Sequence, residues 1–269
     1  MRCTNPKASR GAHRLLRGPI GLGNDGDVAS FEAVADEYDA ARPSYPDEVF
    51  DALEPLAGLR VLDVGAGTGI ATRSLITRHA AVVAIDPGSE LLRRAKSHTK
   101  DLIAVTADGN AVPIRSNAVD LVSFAQSWHW LNPSTRVEEC HRVLRPRGRW
   151  AGWWSHARAD GQQWFDDHWS AIERACPGTH RGQRDTDWGA TIATGRHFDV
   201  HERITIPWIR ELAVDTWMTD LASHSYIVGL AKNERERLLT NLRQIAHAQF
   251  SDRPMVVAYE TWLWIATRL

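Results

Sequence analysis

The stretch Val61-Leu62-Asp63-Val64-Gly65-Ala66-Gly67-Thr68-Gly69 constrains this chain more than any other. Four residues suited to a buried strand run into a turn with glycine at every second position. Ile70 to Arg78 then carries apolar residues at helical spacing, so the segment reads strand, glycine turn, helix. That is how an open α/β sheet presents backbone N–H groups to a nucleotide-like ligand. The spacing is G-x-G-x-G, with Ile70 where the dinucleotide fingerprint places its last small residue. Alone, such a turn is also compatible with a tight βα connection that binds nothing, so the flanking sequence has to decide.

A chain of 269 residues is ample for a full hydrophobic core. The formal charge of −1 provides no overall field to recruit nucleic acid or an anionic membrane. Cys3, Cys140 and Cys176 are dispersed and form no C-x-x-C, which argues against a disulfide framework or a zinc site and fits a reducing cytoplasm. No apolar run approaches the roughly 18 residues of a membrane span. Met1 to about Gly26 is Arg-rich, with no acid before Asp25. It is expected to be a disordered basic extension, leaving 27–269 as one domain.

Along that domain, Phe31–Tyr38 reads as a short amphipathic helix, and Pro43 and Pro46 hold the following loop extended. Asp47 to Leu56 reads as a second helix. Ala80 to Ile85 is a continuous apolar run, the mark of a central parallel strand, and it ends in Asp86-Pro87-Gly88. Asp86 follows Gly69 by 17 residues, near the spacing at which an acid accepts ribose hydroxyls. Leu102 to Thr106 ends at Ala107-Asp108-Gly109-Asn110, another acid at a strand terminus. Val119 to Ala125 is a fourth strand, inside which Asp120 reads as a structural carboxylate. It empties into Gln126-Ser127-Trp128-His129-Trp130-Leu131-Asn132-Pro133, with Asn132 placed to cap a helix running to about Leu144. A fifth strand is expected over Arg149–Trp154 and a β segment over His197–Pro207. Helices are expected over Gln162–Ala175, Val214–Leu230 and Asn233–Phe250, and Met255–Ala266 closes the chain as a strand.

Together these pieces resemble the class I S-adenosylmethionine-dependent methyltransferases over roughly Phe31 to Leu269. Val61 to Gly69 matches the first motif, Asp86 the acid closing strand two, and Ala107-Asp108 the adenine loop. Val112-Pro113 followed by Val119-Asp120-Leu121-Val122 matches the approach to strand four. Tyr38-Asp39-Ala40-Ala41-Arg42-Pro43-Ser44-Tyr45-Pro46 and Ala125-Gln126-Ser127-Trp128-His129-Trp130 narrow the resemblance to a small-molecule branch similar to trans-aconitate-type enzymes. The resemblance implies a Rossmann-like α/β fold: a seven-stranded, mostly parallel sheet of order 3-2-1-4-5-7-6 with helices on both faces. Segments near 157–200 and 213–250 would cover the substrate.

The resemblance also assigns roles. The Gly65, Gly67 and Gly69 backbone would pass the methionine part of S-adenosyl-L-methionine, and Asp63 would help hold its ammonium. Asp86, with Pro87 beside it, would take the ribose, while Asp108 and Gly109 would meet the adenine. Tyr38 and Arg42 would close over the methionine end, and Gln126 would meet the amino group. Trp128, His129, Trp130, Trp217 and Tyr226 are the candidates to contact a small-molecule acceptor. His129 is the one candidate general base, because imidazole titrates near neutrality; a histidine that only orients the acceptor or satisfies a nearby carbonyl is the reading preferred to it. O-methylation of a carboxylate or hydroxyl is the expected reaction, with no metal and no nucleic-acid partner. The alternatives are a catalytically silent binding module built on the same site, and a nicotinamide oxidoreductase. Ile70 and the Asp108 loop count against the oxidoreductase.

Overall fold

The computed structural model describes residues 44–179, 186–251 and 253–269. The expected basic extension, the Phe31–Tyr38 helix, and the candidates Tyr38 and Arg42 lie outside the described residues. The strands are β1 (Arg60–Val64), β2 (Ala81–Asp86), β3 (Ile103–Thr106), β4 (Val119–Ala125), β5 (Leu144–Ala157), β6 (Phe198–Val200), β7 (Ile204–Leu212) and β8 (Met255–Arg268). The helices are α1 (Asp47–Asp51), α2 (Ile70–Thr77), α3 (Ser89–His98), α4 (Arg136–Val143), α5 (Gln163–Ala175), α6 (Trp188–Ile192), α7 (Val214–Ala222), α8 (Ser225–Val228) and α9 (Lys232–Phe250).

The strands form one sheet in the order β3-β2-β1-β4-β5-β8-β6, with β7 also paired to β8. β1 to β5 pair in parallel, whereas β8 runs antiparallel to β5, β6 and β7. β6 and β7 occupy successive stretches of one edge of β8, so the expected sixth strand is present in two pieces and the order 3-2-1-4-5-7-6 holds by position. The central strands are apolar throughout because both faces are covered, and alternation sends neighbours to opposite layers. Val61, Leu121, Ala151 and Trp153 pack with Phe50 and Leu75 on one face. Leu62, Val122, Phe124, Trp150 and Trp154 pack with Val137 and Ile192 on the other.

Several boundaries differ from expectation for local reasons. α1 stops at Asp51 instead of Leu56, because Leu53 and Glu54 turn their N–H groups back onto Phe50 and Asp51 and Pro55 has none to give. The Asn132 side chain accepts from Ser134 N–H and forms a turn of its own, so α4 begins only at Arg136. The Arg145–Gly148 turn is present but lies inside β5: Val119 pairs with Leu144 and Leu121 with Arg149, and Arg147 takes a φ of 65°. The helix expected over Val214–Leu230 divides into α7 and α8, where the Ser223 hydroxyl donates to the Asp220 carbonyl. Asp120 is structural as expected, accepting from Arg60 N–H at 2.7 Å and lying 2.7 Å from the Arg145 guanidinium.

β5, β7 and β8 outrun the rest of the sheet. Their extension carries a second helical layer, in which Phe165, Trp217, Leu221 and Leu242 of α5, α7 and α9 close over Val257 and Tyr259. Among the described residues no helix is long and apolar enough to cross a membrane.

Candidate active site

β1 ends at Val64, and the chain turns through Gly65 (φ 70°), Gly67 (φ 56°) and Gly69 (φ 82°). At Gly65 space is as restrictive as backbone: an added Cβ would lie 2.5 Å from Ser127 Cβ. At Gly67 the same atom would meet nothing within 4 Å, so this peptide faces open space. The Gly65 and Ala66 N–H groups donate to the Ile85 carbonyl at 2.9 and 3.0 Å, tying the turn to β2. The Thr68 hydroxyl is buried in the turn with no hydrogen-bond partner among the described residues.

Beneath the turn Asp63 is wholly buried. Its two oxygens accept from the Thr72 hydroxyl at 2.6 Å and the Ser123 hydroxyl at 2.9 Å. Burial pushes this carboxyl up to about 6 against those two bonds, with the nearby Asp86 charge adding to the rise. Asp63 thus buttresses β1, α2 and β4 from inside the sheet.

Asp86 closes β2 and reaches back to the turn. One oxygen accepts from Gly67 N–H at 2.9 Å and the other from Gly88 N–H at 2.8 Å. Pro87 beside it is exposed. At the end of β3, exposed Asp108 accepts from both the backbone and side-chain N–H of Asn110 at 2.8 Å, and Asn110 accepts from Asn132 N–H at 2.7 Å. A Cβ on Gly109 would fall 2.7 Å from Leu131 and 2.8 Å from Val64. The ends of β1, β2 and β3 and the loop leaving β4 are therefore stitched side by side.

The exit from β4 is the strained part. Gln126 takes a φ of 58°, uncommon for a residue with a long side chain. Its N–H donates to the Trp153 carbonyl at 2.9 Å and its side-chain amide to the Tyr45 hydroxyl at 3.4 Å. A single 3-10 turn, Trp128–Trp130, follows. His129 is half-buried among the rings of Trp130, Trp188 and Trp154, with centroids 4.8, 5.9 and 6.3 Å away. Trp154 and Trp188 stack on each other at 4.9 Å. The Trp154 indole N–H donates to His129 Nδ1 at 3.3 Å. Burial, helped by the Arg136 charge, pushes the imidazole down to about 4, so it is neutral at pH 7. With Nδ1 accepting, the proton of the neutral ring sits on Nε2. His129 is thereby set up as a hydrogen-bond donor, its one available lone pair already engaged.

The other acceptor-side candidates separate. Trp128 is fully enclosed, packed on Phe124 and Trp150 under the Arg136 guanidinium, with its N–H on the Thr191 hydroxyl. It has no surface to offer a ligand and belongs to the core. Trp217 lies inside the second helical layer against Trp164 and His168. Tyr226 borders that layer, its hydroxyl 2.7 Å from His224 Nδ1. The structure places Tyr45 beside Gln126 and Trp188 beside His129, neither of them singled out from the sequence, while Trp154 backs His129 from the core, as expected of most rings on that strand. Alternation along β5 put Trp154 on the face of Trp150 and Trp153 on the other, a usable signal; Trp188 meets His129 across 59 residues, with no local pattern to announce it.

Comparison with known proteins agrees with this geometry. Residues 62–151 match the family described as "Methyltransferase domain". The chain is 33% identical to an uncharacterized methyltransferase of Mycobacterium tuberculosis over 80% of this chain and 85% of that one. It is 35% identical over 44% of each chain to the malonyl-[acyl-carrier protein] O-methyltransferase of Halorhodospira halophila. The fold matches that of a protein from Anaeromyxobacter dehalogenans, provisionally assigned as a type II methyltransferase, with a TM-score of 0.64 at 22% identity over 83% of this chain and 97% of that one. Sheet order, glycine turn and relatives converge, and the chain belongs to the class I S-adenosylmethionine-dependent methyltransferases.

Proposed function

We propose that this enzyme methylates an oxygen of a small-molecule acceptor, a carboxylate ahead of a hydroxyl, in the space above the end of β4. S-adenosylmethionine supplies a methyl group on a sulfonium, and its in-line displacement needs alignment and exclusion of water more than acid–base chemistry. The residues present fit that molecule: open space at Gly67, a buried Thr68 hydroxyl with no partner among the described residues, and a Gly109 position where a side chain would clash. In this reading Asp86 takes the ribose hydroxyls, with Pro87 at its edge, and Asp108 and Gly109 take the adenine. Gly65, Gly67, Gly69 and Gln126 border the methionine portion, a role the family resemblance also gives to Tyr38 and Arg42. Asp63 holds the turn in shape from below.

The observation that carries the acceptor class is the state of His129. A hydroxyl acceptor needs a base, and the one candidate is a weak one: burial pushes its imidazole down to about 4, and its Nδ1 lone pair is taken by Trp154. A carboxylate is already ionised at pH 7 and needs none. A carboxylate acceptor would therefore need only to be held in line with the donor methyl, with no proton for the protein to remove. His129 Nε2–H orients the acceptor, and the faces of Trp130 and Trp188 favour a nearby sulfonium by roughly 0.5–2 kcal/mol. The name of the Halorhodospira relative, an O-methyltransferase of a malonyl group, supports the same direction. We read the enzyme as cytoplasmic and without a nucleic-acid partner.

The test is a screen of carboxylates, alcohols and amines with methyl-labelled S-adenosylmethionine. Label should enter carboxylates and return as methanol after mild alkali, as methyl esters do. Label confined to amines or carbon would overturn the reading.

A further inference from the structure

The tip of β5 holds two hydrogen-bond donors on one residue, Ser155. The last β4–β5 pair is Ala125 with Trp153, whereas β5 stays paired with β8 as far as Ala157 with Tyr259. Peptide groups alternate sides along a strand. The Trp153 carbonyl accepts from Gln126 N–H on the β4 side, and Arg158 N–H donates to the Ala258 carbonyl on the β8 side. Ser155 shares the parity of Trp153, so its N–H and C=O open over the end of β4. A regular parallel ladder would continue with Ser155 N–H donating to the Gln126 carbonyl. The φ of 58° at Gln126 turns that carbonyl away, and among the described residues no backbone acceptor outside the strands takes the Ser155 N–H.

The Ser155 hydroxyl is aimed by its neighbours. Thr261, fully buried on β8, accepts from the Trp208 indole N–H at 3.0 Å, and its oxygen lies 2.7 Å from that of Ser155. Among the described residues the Thr261 proton has no other acceptor, and leaving a buried hydroxyl unsatisfied costs about 1–3 kcal/mol. Thr261 therefore donates to Ser155. The Ser155 proton is left to point outward from a half-exposed side chain. Trp208, Thr261 and Ser155 form a hydrogen-bond chain of fixed polarity ending in a donor.

We infer that the Ser155 N–H and hydroxyl form the seat for the carboxylate of the acceptor. Two neutral donors on one strand end, the N–H opening over β4 and the hydroxyl on the Trp153 face, suit a carboxylate, which accepts only, and leave it ionised and nucleophilic. A primary amide of the same shape presents its own N–H donors to the seat and binds less well. This inference rests on the reading that the acceptor lies above the end of β4.

The test uses the full chain, labelled with 15N-serine and saturated with S-adenosylhomocysteine. Acetate, hexanoate and succinate are titrated against their matching amides, and the Ser155 peak is identified as the one absent from Ser155→Ala. At least one carboxylate should shift that peak saturably while its amide does not. Ser155→Ala should weaken that carboxylate about tenfold, the worth of one hydrogen bond to a charged group, with S-adenosylhomocysteine affinity unchanged. Trp208→Phe frees the Thr261 lone pair, lets the chain reverse, and should weaken the same carboxylate by a smaller factor. No saturable shift with any of the three carboxylates, or wild-type affinity in Ser155→Ala, overturns the seat. Carboxylate binding at Ser155 with label entering only nitrogen or carbon would instead overturn the oxygen-acceptor reading and leave the seat standing.

Discussion

The two ends of the proposed site are built on different principles. The donor end, from β1 to β3, is assembled from short loops, each following its own strand: the glycine turn after β1, Asp86 after β2, Asp108 and Gly109 after β3. Bonds between adjacent loops hold it, such as Asp86 to Gly67 and Asn110 to Asn132. The acceptor end, above β4 and β5, is assembled from residues far apart in the chain: Tyr45, His129, Ser155, Trp188, Trp208 and Thr261. Its geometry depends on one strained residue, Gln126, and on β5 outrunning β4. The lesson is that the half proposed to bind an unchanging cofactor is written locally, whereas the half proposed to select the acceptor is written in long-range contacts.

The comparison can be broken most forcefully at Trp128. As core rather than site, Trp128→Ala should cost about 3–5 kcal/mol of stability in thermal or urea denaturation. Trp130→Ala should leave stability within about 1 kcal/mol and reduce turnover instead. Equal destabilisation by the two would erase the boundary drawn here between core and cleft.

Each end also buries one titrating group, and the two act on stability with opposite sign. Asp63 titrates near 3.8 when unfolded and about 6 when folded, so the native chain binds more protons between those values. Its contribution is lost as pH rises through that window, by about 3 kcal/mol. His129 falls from 6.5 to about 4, so there the unfolded chain binds more protons and stability rises with pH by a similar amount. The two slopes oppose each other in the wild type. Asp63→Asn should therefore unmask a Tm that climbs from pH 4 to 6.5, and His129→Gln one that falls from pH 4 to 6. Parallel curves for all three proteins would contradict the assignment.

Within the glycine turn, Gly65→Ala should destabilise by about 2–4 kcal/mol, since its Cβ meets Ser127 and its φ is positive. Gly67→Ala has open space and should cost about 1 kcal/mol of fold stability while still impairing cofactor binding. Asp86→Ala should weaken S-adenosylmethionine at least tenfold by calorimetry, about 1.4 kcal/mol. Affinity equal to wild type would remove Asp86 from the donor end. The smallest effect is on rate: with His129 neutral above pH 5, kcat/KM for a carboxylate acceptor should be flat between pH 6 and 8. An inflection near 6.5 would restore His129 as a base.

Legibility followed the same division. The placement of Asp86, Asp108 and Gly109 was readable, because a parallel βα unit puts its loop chemistry a fixed distance after an apolar run, while strand order followed from the family resemblance. Trp128, His129 and Trp130 were readable as a cluster but not as individuals. One turn of 3-10 helix sends Trp128 into the core and leaves its neighbours at the cleft, and nothing in a W-H-W tripeptide says which ring goes where. Trp217 drew attention as an aromatic on an amphipathic helix, yet the second helical layer needed that ring for its own interior. Asp63 was readable as part of a motif, while its two hydroxyl partners on α2 and β4 emerge only when those elements pack.

By itself the sequence determined a strand–turn–helix site for a nucleotide-like ligand, and through the resemblance its motifs carry, the fold family and the methyl donor, since glycine spacing, strand periodicity and acids at strand ends are local properties of a single βα unit. Only the tertiary structure decided which lone pairs and protons at the acceptor end remain available. The His129 tautomer depends on Trp154, and the direction of the Ser155 hydroxyl depends on Trp208 and Thr261. A hydrogen bond acquires its polarity from the partner it meets, and those partners are brought together by the sheet.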